Sequence, residues 1–115
     1  MQNFKIIGKD DLLSVATQMK YDHYRLAQIS CTKKDKLDLV YSFVKDYDLE
    51  NIRIELEFDE EIESISGIYS YAFLYENEIK ELFGVKIMRI SLDFNGTFYK
   101  IKKTESKNGE VAQNG

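Results

Sequence analysis

The stretch Ile68-Tyr-Ser-Tyr-Ala-Phe-Leu-Tyr-Glu-Asn-Glu-Ile-Lys-Glu-Leu-Phe-Gly-Val85 decides the fold. Its apolar residues recur at helical spacing and a glycine stands where the pattern stops. The spacing therefore predicts an amphipathic helix over 68–83 that ends at Gly84 and releases a strand. At about 100° per residue, Ile68, Ala72, Tyr75, Ile79, Leu82 and Phe83 share one face, which is suited to covering a sheet. Phe73 and Leu74 fall elsewhere on the helix. Two apolar residues on the back of a covering helix point to a partner that covers them.

Upstream of the helix the chain alternates like a sheet. Asp10 or Asp11 can cap a short first helix through Lys20, with Leu12, Val15, Ala16 and Met19 forming its apolar stripe. Tyr24 to Thr32 suits a strand, and Lys33-Lys34-Asp35 supplies a polar turn. Leu37, Leu39, Tyr41 and Phe43 then alternate with Asp38, Val40, Ser42 and Val44, which fits a strand whose second face is also partly covered. After a turn at Asp46-Tyr47-Asp48, Ile52, Ile54, Leu56 and Phe58 alternate with Arg53, Glu55, Glu57 and Asp59, giving one core face and one wet face. The acidic run from Asp59 to Glu63 reads as a solvated connection. Ser66 and Ser70 are both candidate caps for the main helix.

Downstream, Asn95-Gly96 is a strong hairpin signal because both turn positions favour positive φ. A two-residue turn there places Leu92 opposite Tyr99 and Ile90 opposite Ile101 on one face. Residues 103–115 are too polar to pack and are expected to form a mobile tail beyond a single domain of residues 1–102. The fold class expected is α+β: a largely antiparallel sheet of four or five strands, covered by the main helix and the short N-terminal one.

Composition excludes several functions. The 115 residues allow one domain, with 43% hydrophobic and 31% charged residues. A net charge of -4 argues against binding nucleic acid, which needs a basic face, and weakly against anionic lipid. No apolar run approaches the roughly 18 residues that span a bilayer, and the start lacks the apolar core of a signal peptide, so the expected compartment is the cytoplasm. One cysteine excludes an internal disulfide.

Catalytic chemistry is poorly supplied. His23 and Cys31 are the only residues of their kinds. They stand eight residues apart along one expected strand, roughly 26 Å at about 3.3 Å per residue, far beyond hydrogen-bond reach. Together they can supply neither a zinc site nor an iron–sulfur cluster, and no phosphate-binding loop is present. Glu76 and Glu78 point about 200° apart on a helix and cannot converge on one bond. Glu78 and Glu81 are neighbours at i, i+3, and Glu76 with Lys80 makes a favourable i, i+4 pair. An independent small enzyme using Glu78 and Glu81 would need a cleft that the sequence does not indicate. The simplest reading of Glu76, Glu78 and Glu81 is an exposed helix surface; the functional alternative is a polar rim around Phe73 and Leu74, where the acids would meet basic residues of a partner.

Glu76-Asn-Glu-Ile-Lys-Glu-Leu-Phe-Gly84 resembles the signature of the thirty-kilodalton subunit family of respiratory complex I and its relatives in membrane-bound hydrogenases, typically Glu-Arg-Glu-Ile/Val-x-Asp-Leu/Met-Phe-Gly-Ile. Arg25 to Thr32, Leu37 to Val44 and Ile52 to Phe58 are similar to the family's core strands, and Ser64-Ile-Ser-Gly-Ile-Tyr to its approach to the helix. Asn77 in place of Arg, and Ser91-Leu-Asp-Phe-Asn-Gly-Thr-Phe-Tyr after the helix, resemble the short subunits of energy-converting hydrogenases (Ech-type). Those often end in Lys-Thr-Pro-Phe, whereas here Lys103-Thr104 is followed by Glu-Ser-Lys.

The resemblance implies a subunit with no cofactor of its own. It would pack beside a nickel-iron large subunit and neighbouring iron–sulfur subunits, in a complex that oxidises ferredoxin, reduces protons and pumps ions at the inner face of the cell membrane. The equivalent subunit of an NADH:quinone oxidoreductase or of a formate hydrogenlyase is the alternative. The expected partner interface comprises Phe73, Leu74, Glu76, Glu78, Glu81, Phe83 and Gly84.

Overall fold

The structure, a computed structural model, describes residues 2–94. Its main sheet has four strands: β1 (Gln2–Ile6), β2 (Arg25–Lys33), β3 (Leu37–Lys45) and β4 (Asp48–Leu56), in the spatial order β1-β4-β3-β2. β3 is antiparallel to both neighbours, and β1 runs parallel to β4 at one edge. The alternation that defines β3 and β4 holds as far as Leu56, where β4 ends; Phe58, expected on the same core face, lies beyond the strand and is 46% exposed. Leu37, Leu39, Tyr41 and Phe43 face the core together with Ile52, Ile54 and Leu56. The turn between them is two residues long, with Lys45 paired to Asp48 and Asp46 in the left-handed region at φ 53°.

Two helices cover the sheet, as expected of the α+β class. α1 (Leu12–Tyr21), led in by a single 3-10 turn at Lys9–Asp11, buries Leu12 and Ala16. Neither Asp10 nor Asp11 caps it through a side chain: the 3-10 turn begins the helical path, and Asp11 itself has helical dihedrals. α2 (Ala72–Phe83) is shorter than the expected 68–83. Residues 66–71 form tight turns instead, with the Ile68 and Tyr69 amides both donating to the Ile65 carbonyl. Neither Ser66 nor Ser70 caps this helix. At the other end Gly84 adopts φ 72° and its amide donates to the Lys80 carbonyl at 3.0 Å, a left-handed C-terminal stop.

Two elements depart from the sequence reading. β1 was not anticipated; its apolar residues Phe4 and Ile6 are 65% and 67% exposed, so the strand is held by pairing to β4 rather than by a core face. The acidic run around Glu61 is a strand rather than a solvated connection. β5 (Glu61–Glu63) pairs in parallel with β6 (Lys86–Met88), and α2 forms the crossover between them. Ile62 and Ile87 are buried while Glu61 and Lys86 face solvent, so a three-residue alternation was hidden among charges. The Asn95-Gly96 hairpin, its paired residues Tyr99 and Ile101, and the tail from 103 lie outside the described residues.

α2 is fastened to the sheet edge by tyrosines. β2 is an outer strand, and a bulge between Leu26 and Gln28 leaves Ala27 without a partner on β3. Tyr69 donates its hydroxyl to the Tyr24 carbonyl at 2.7 Å, Tyr71 to Leu26 at 2.6 Å and Tyr75 to Ala27 at 2.9 Å. These contacts satisfy carbonyls along an exposed edge and block strand addition there. The Tyr69 ring also packs against Phe43, centroids 5.5 Å apart.

Candidate functional site

α2 has three faces, and each does something different. The inward face is centred on Ala72, Glu76 and Ile79, all buried, with Phe83 packed against the core. Relative to the face expected from the apolar pattern, it is turned by about 40°. In this orientation the Tyr75 hydroxyl reaches the Ala27 carbonyl at the sheet edge. Leu82, expected inside, is consequently 50% exposed.

Glu76 is the largest correction. Expected on an exposed polar rim and paired with Lys80, it is fully buried instead. Its carboxylate accepts from Ser64 Oγ at 2.6 Å and from the Ile65 amide at 2.8 Å. Lys80 pairs with Asp93 at 2.6 Å. Burial raises the Glu76 pKa from 4.5 to about 7, outweighing the Ser64 and Ile65 hydrogen bonds that favour the ionised form. Across the core, the Tyr41 hydroxyl is buried with no hydrogen-bond partner among the described residues; burial, then the charge of Glu76, push its pKa up. Spacing contained this signal: Glu76 sits four residues after Ala72 and three before Ile79, so the apolar stripe passes through it.

The second face is covered by the chain itself. Asn77, buried, donates through Nδ2 to the Phe73 and Leu92 carbonyls, each at 2.8 Å, and accepts from the Phe94 amide at 2.9 Å. The Phe73 ring meets Phe94 with centroids 6.2 Å apart. Phe73 is therefore packed rather than presented to solvent.

The third face is open. Tyr71, Leu74, Glu78 and Leu82 recur at i, i+3, i+7 and i+11, with Leu74 44% and Leu82 50% exposed. Glu78 and Glu81 lie half-buried along it. Of the seven residues expected at a partner interface, Leu74 and Gly84 are exposed, and Glu78 and Glu81 are half-buried, with the Glu81 Oε2 atom buried. Glu76 is buried, and Phe73 and Phe83 pack inward.

The remaining chemistry is sparse. His23 is an exposed turn residue with φ 69°, between α1 and β2, rather than the start of a strand. Cys31 is half-buried near the far end of β2, and burial pushes its thiol up to about 11, away from nucleophilic use at neutral pH. A cavity of 230 Å³ between α1 and the β5–β6 pair is lined by Lys9, Glu61, Glu63 and Arg89. Lys9 donates to the Glu61 carbonyl at 3.1 Å and pairs with Glu60 at 3.5 Å, and Arg89 pairs with Glu63, so both cations of the lining are already engaged. Glu76 is out of reach of any substrate. Among the described residues no group of three or more His, Cys, Asp and Glu is placed to hold a metal ion, and no helix is long and apolar enough to cross a membrane.

Comparison with known proteins bears on the whole of this framework. The family model described as respiratory-chain NADH dehydrogenase, 30 Kd subunit, matches residues 6–89. Among solved structures, the trypsin-resistant fragment of Nqo5 superposes with a TM-score of 0.68 at 16% identity, covering 76% of this chain and 80% of that one. A chain of the membrane-bound sulfane sulfur reductase, an archaeal respiratory membrane complex, gives a TM-score of 0.69 at 17% identity. There the match covers 76% of this chain and 58% of the other. At these identities the likeness is one of fold. No curated protein sequence matches the chain.

Proposed function

The chain belongs to the respiratory-chain NADH dehydrogenase 30 Kd subunit family, and on that premise we propose that it is a non-catalytic structural subunit of a membrane-bound energy-converting hydrogenase. In this role it docks on and braces the nickel-iron large subunit, at the cytoplasmic face of the membrane, and carries no cofactor of its own. The observation that carries the reading is the third face of α2. Two faces of the helix are used inside the chain, yet Leu74 and Leu82 remain in water, flanked by Glu78 and Glu81. An apolar stripe with an acidic border suits a partner surface with apolar pockets and basic neighbours.

One contact supports the hydrogenase form over the equivalent subunit of an NADH:quinone oxidoreductase or formate hydrogenlyase. Asn77 and the segment from Ser91 are the two features that resemble hydrogenase subunits, and they bond to each other through Leu92 and Phe94. An Arg at 77 carries no acceptor for the Phe94 amide and cannot reproduce this buried double contact. Purification of the tagged chain from detergent-solubilised membranes tests the proposal. Recovery with a nickel-iron large subunit is expected; recovery as a lone monomer from cells that express the whole complex overturns it.

A further inference from the structure

Three segments meet at the Glu76 carboxylate through a line of hydroxyls. Glu76 on α2 accepts from Ser64 Oγ and the Ile65 amide, at 2.6 and 2.8 Å. Ser64 Oγ lies 2.7 Å from Ser66 Oγ and also accepts from the Ser66 amide at 2.9 Å. Ser66 Oγ in turn accepts from the Ser91 amide at 2.8 Å. Ser64, Ser66 and Glu76 are all buried. Between the two serine hydroxyls either oxygen can be the donor.

The charge on Glu76 decides which one is. An ionised carboxylate only accepts, so the Ser64 hydroxyl points at Glu76 and the Ser66 hydroxyl points at Ser64. A protonated Glu76 brings one more O–H into a site without water-facing surface. With that proton on Oε1, Ser64 Oγ must accept it, the Ser64 hydroxyl turns to Ser66, and the Ser66 hydroxyl loses its acceptor. With the proton on Oε2, the acid proton competes with the Ile65 N–H for the same space.

Among the described residues no cation biases the carboxylate toward either state. Lys80, one turn further along α2, is engaged by Asp93, and Arg89, beyond β6, by Glu63. From the sheet side the titratable groups are the Tyr41 phenol on β3 and, behind it, the Cys31 thiol on β2, and neither brings positive charge.

We infer that Glu76, Ser64 and Ser66 form a hydroxyl relay whose direction reverses when Glu76 binds a proton, coupling the charge state of α2 to the segment that begins at Ser91. Burial, with no countercharge among the described residues, puts that event near neutrality, with a pKa of about 7. Because Asn77 ties Leu92 and Phe94 to the same helix, the reversal acts on a segment already fastened to α2. The relay operates within one chain and does not depend on the identity of any partner.

Titration of the isotopically labelled full chain by NMR, from about pH 4 to about pH 9, tests this. The Glu76 carboxyl carbon is expected to titrate near pH 7, about 2.5 units above the ordinary 4.5. The Ile65, Ser66 and Ser91 amides should shift with its midpoint, and Glu76→Gln should abolish all three transitions. In Ser66→Ala the Ile65 transition should survive and the Ser91 transition should disappear. If Glu76→Gln does not fold, the wild-type and Ser66→Ala titrations decide alone. Glu76 titrating with the exposed glutamates, or a Ser91 transition unchanged in Ser66→Ala, overturns the relay.

Discussion

The Phe73 ring packs against that of Phe94, with centroids 6.2 Å apart, so the outer flank of α2 is partly closed by the chain's own downstream segment. Leu74, the next residue, is 44% exposed. Neighbours in sequence thus belong to different parts of the molecule. Phe73→Asp should destabilise the isolated chain by about 2 kcal/mol or more, by burying a charge beside the core. Leu74→Asp should stay within about 0.5 kcal/mol of wild type. Urea unfolding of the two variants checks the difference, and equal destabilisation would show that Leu74 is also packed.

Stability should fall as pH rises through the acidic range on account of Glu76. Its folded pKa of about 7 lies above the ordinary 4.5, so the folded state holds the proton more tightly than the unfolded one. The associated stabilisation is complete below 4.5, declines between 4.5 and about 7, and is gone above. Between pH 5 and pH 8 the loss amounts to about 2.5 kcal/mol, relative to a variant lacking the carboxyl. Urea midpoints at the two pH values for wild type and Glu76→Gln isolate this effect from every other group. Parallel behaviour of the two proteins would refute it.

Gly84 ends α2 at φ 72°, and a Cβ there would meet nothing within 4 Å. The penalty for Gly84→Ala is therefore conformational, about 1 kcal/mol, seen as a fall in Tm of about 5 °C. Gly84→Asn should lose less, since Asn tolerates the left-handed region better. A thermal melt in which Ala and Asn behave alike would contradict the cap.

Tyr75 donates to the carbonyl of the bulge residue Ala27 at 2.9 Å. Tyr75→Phe keeps the ring and removes the bond, so it should cost about 1 kcal/mol and speed amide exchange along the adjoining part of β2. Unchanged exchange would show that the bulge holds without its tyrosine.

Much of this fold is readable from alternation. β3 and β4 have long apolar runs at period two, and the end of α2 is marked by Gly84, so their positions follow from local rules. β5 and β6 have only three residues each and acquire their meaning from the crossover between them, which no local pattern announces. The tyrosine contacts depend on a bulge in β2, again a tertiary feature. Glu76 was misplaced for a different reason. A carboxylate among charged neighbours reads as surface, but Ser64 and the Ile65 amide, 12 and 11 residues upstream, supply the donors that let it go inside. The exposure of Leu74 was legible in its position off the apolar stripe. Leu82 was missed because the helix is rotated.

Docking through the third face of α2 is tested most directly by a double variant, Leu74→Asp with Leu82→Asp, expressed as a tagged chain together with the rest of its complex. The account predicts loss of the co-purifying large subunit, while circular dichroism and the unfolding midpoint of the isolated chain stay close to wild type. Undiminished recovery of the large subunit with the doubly substituted chain would contradict it.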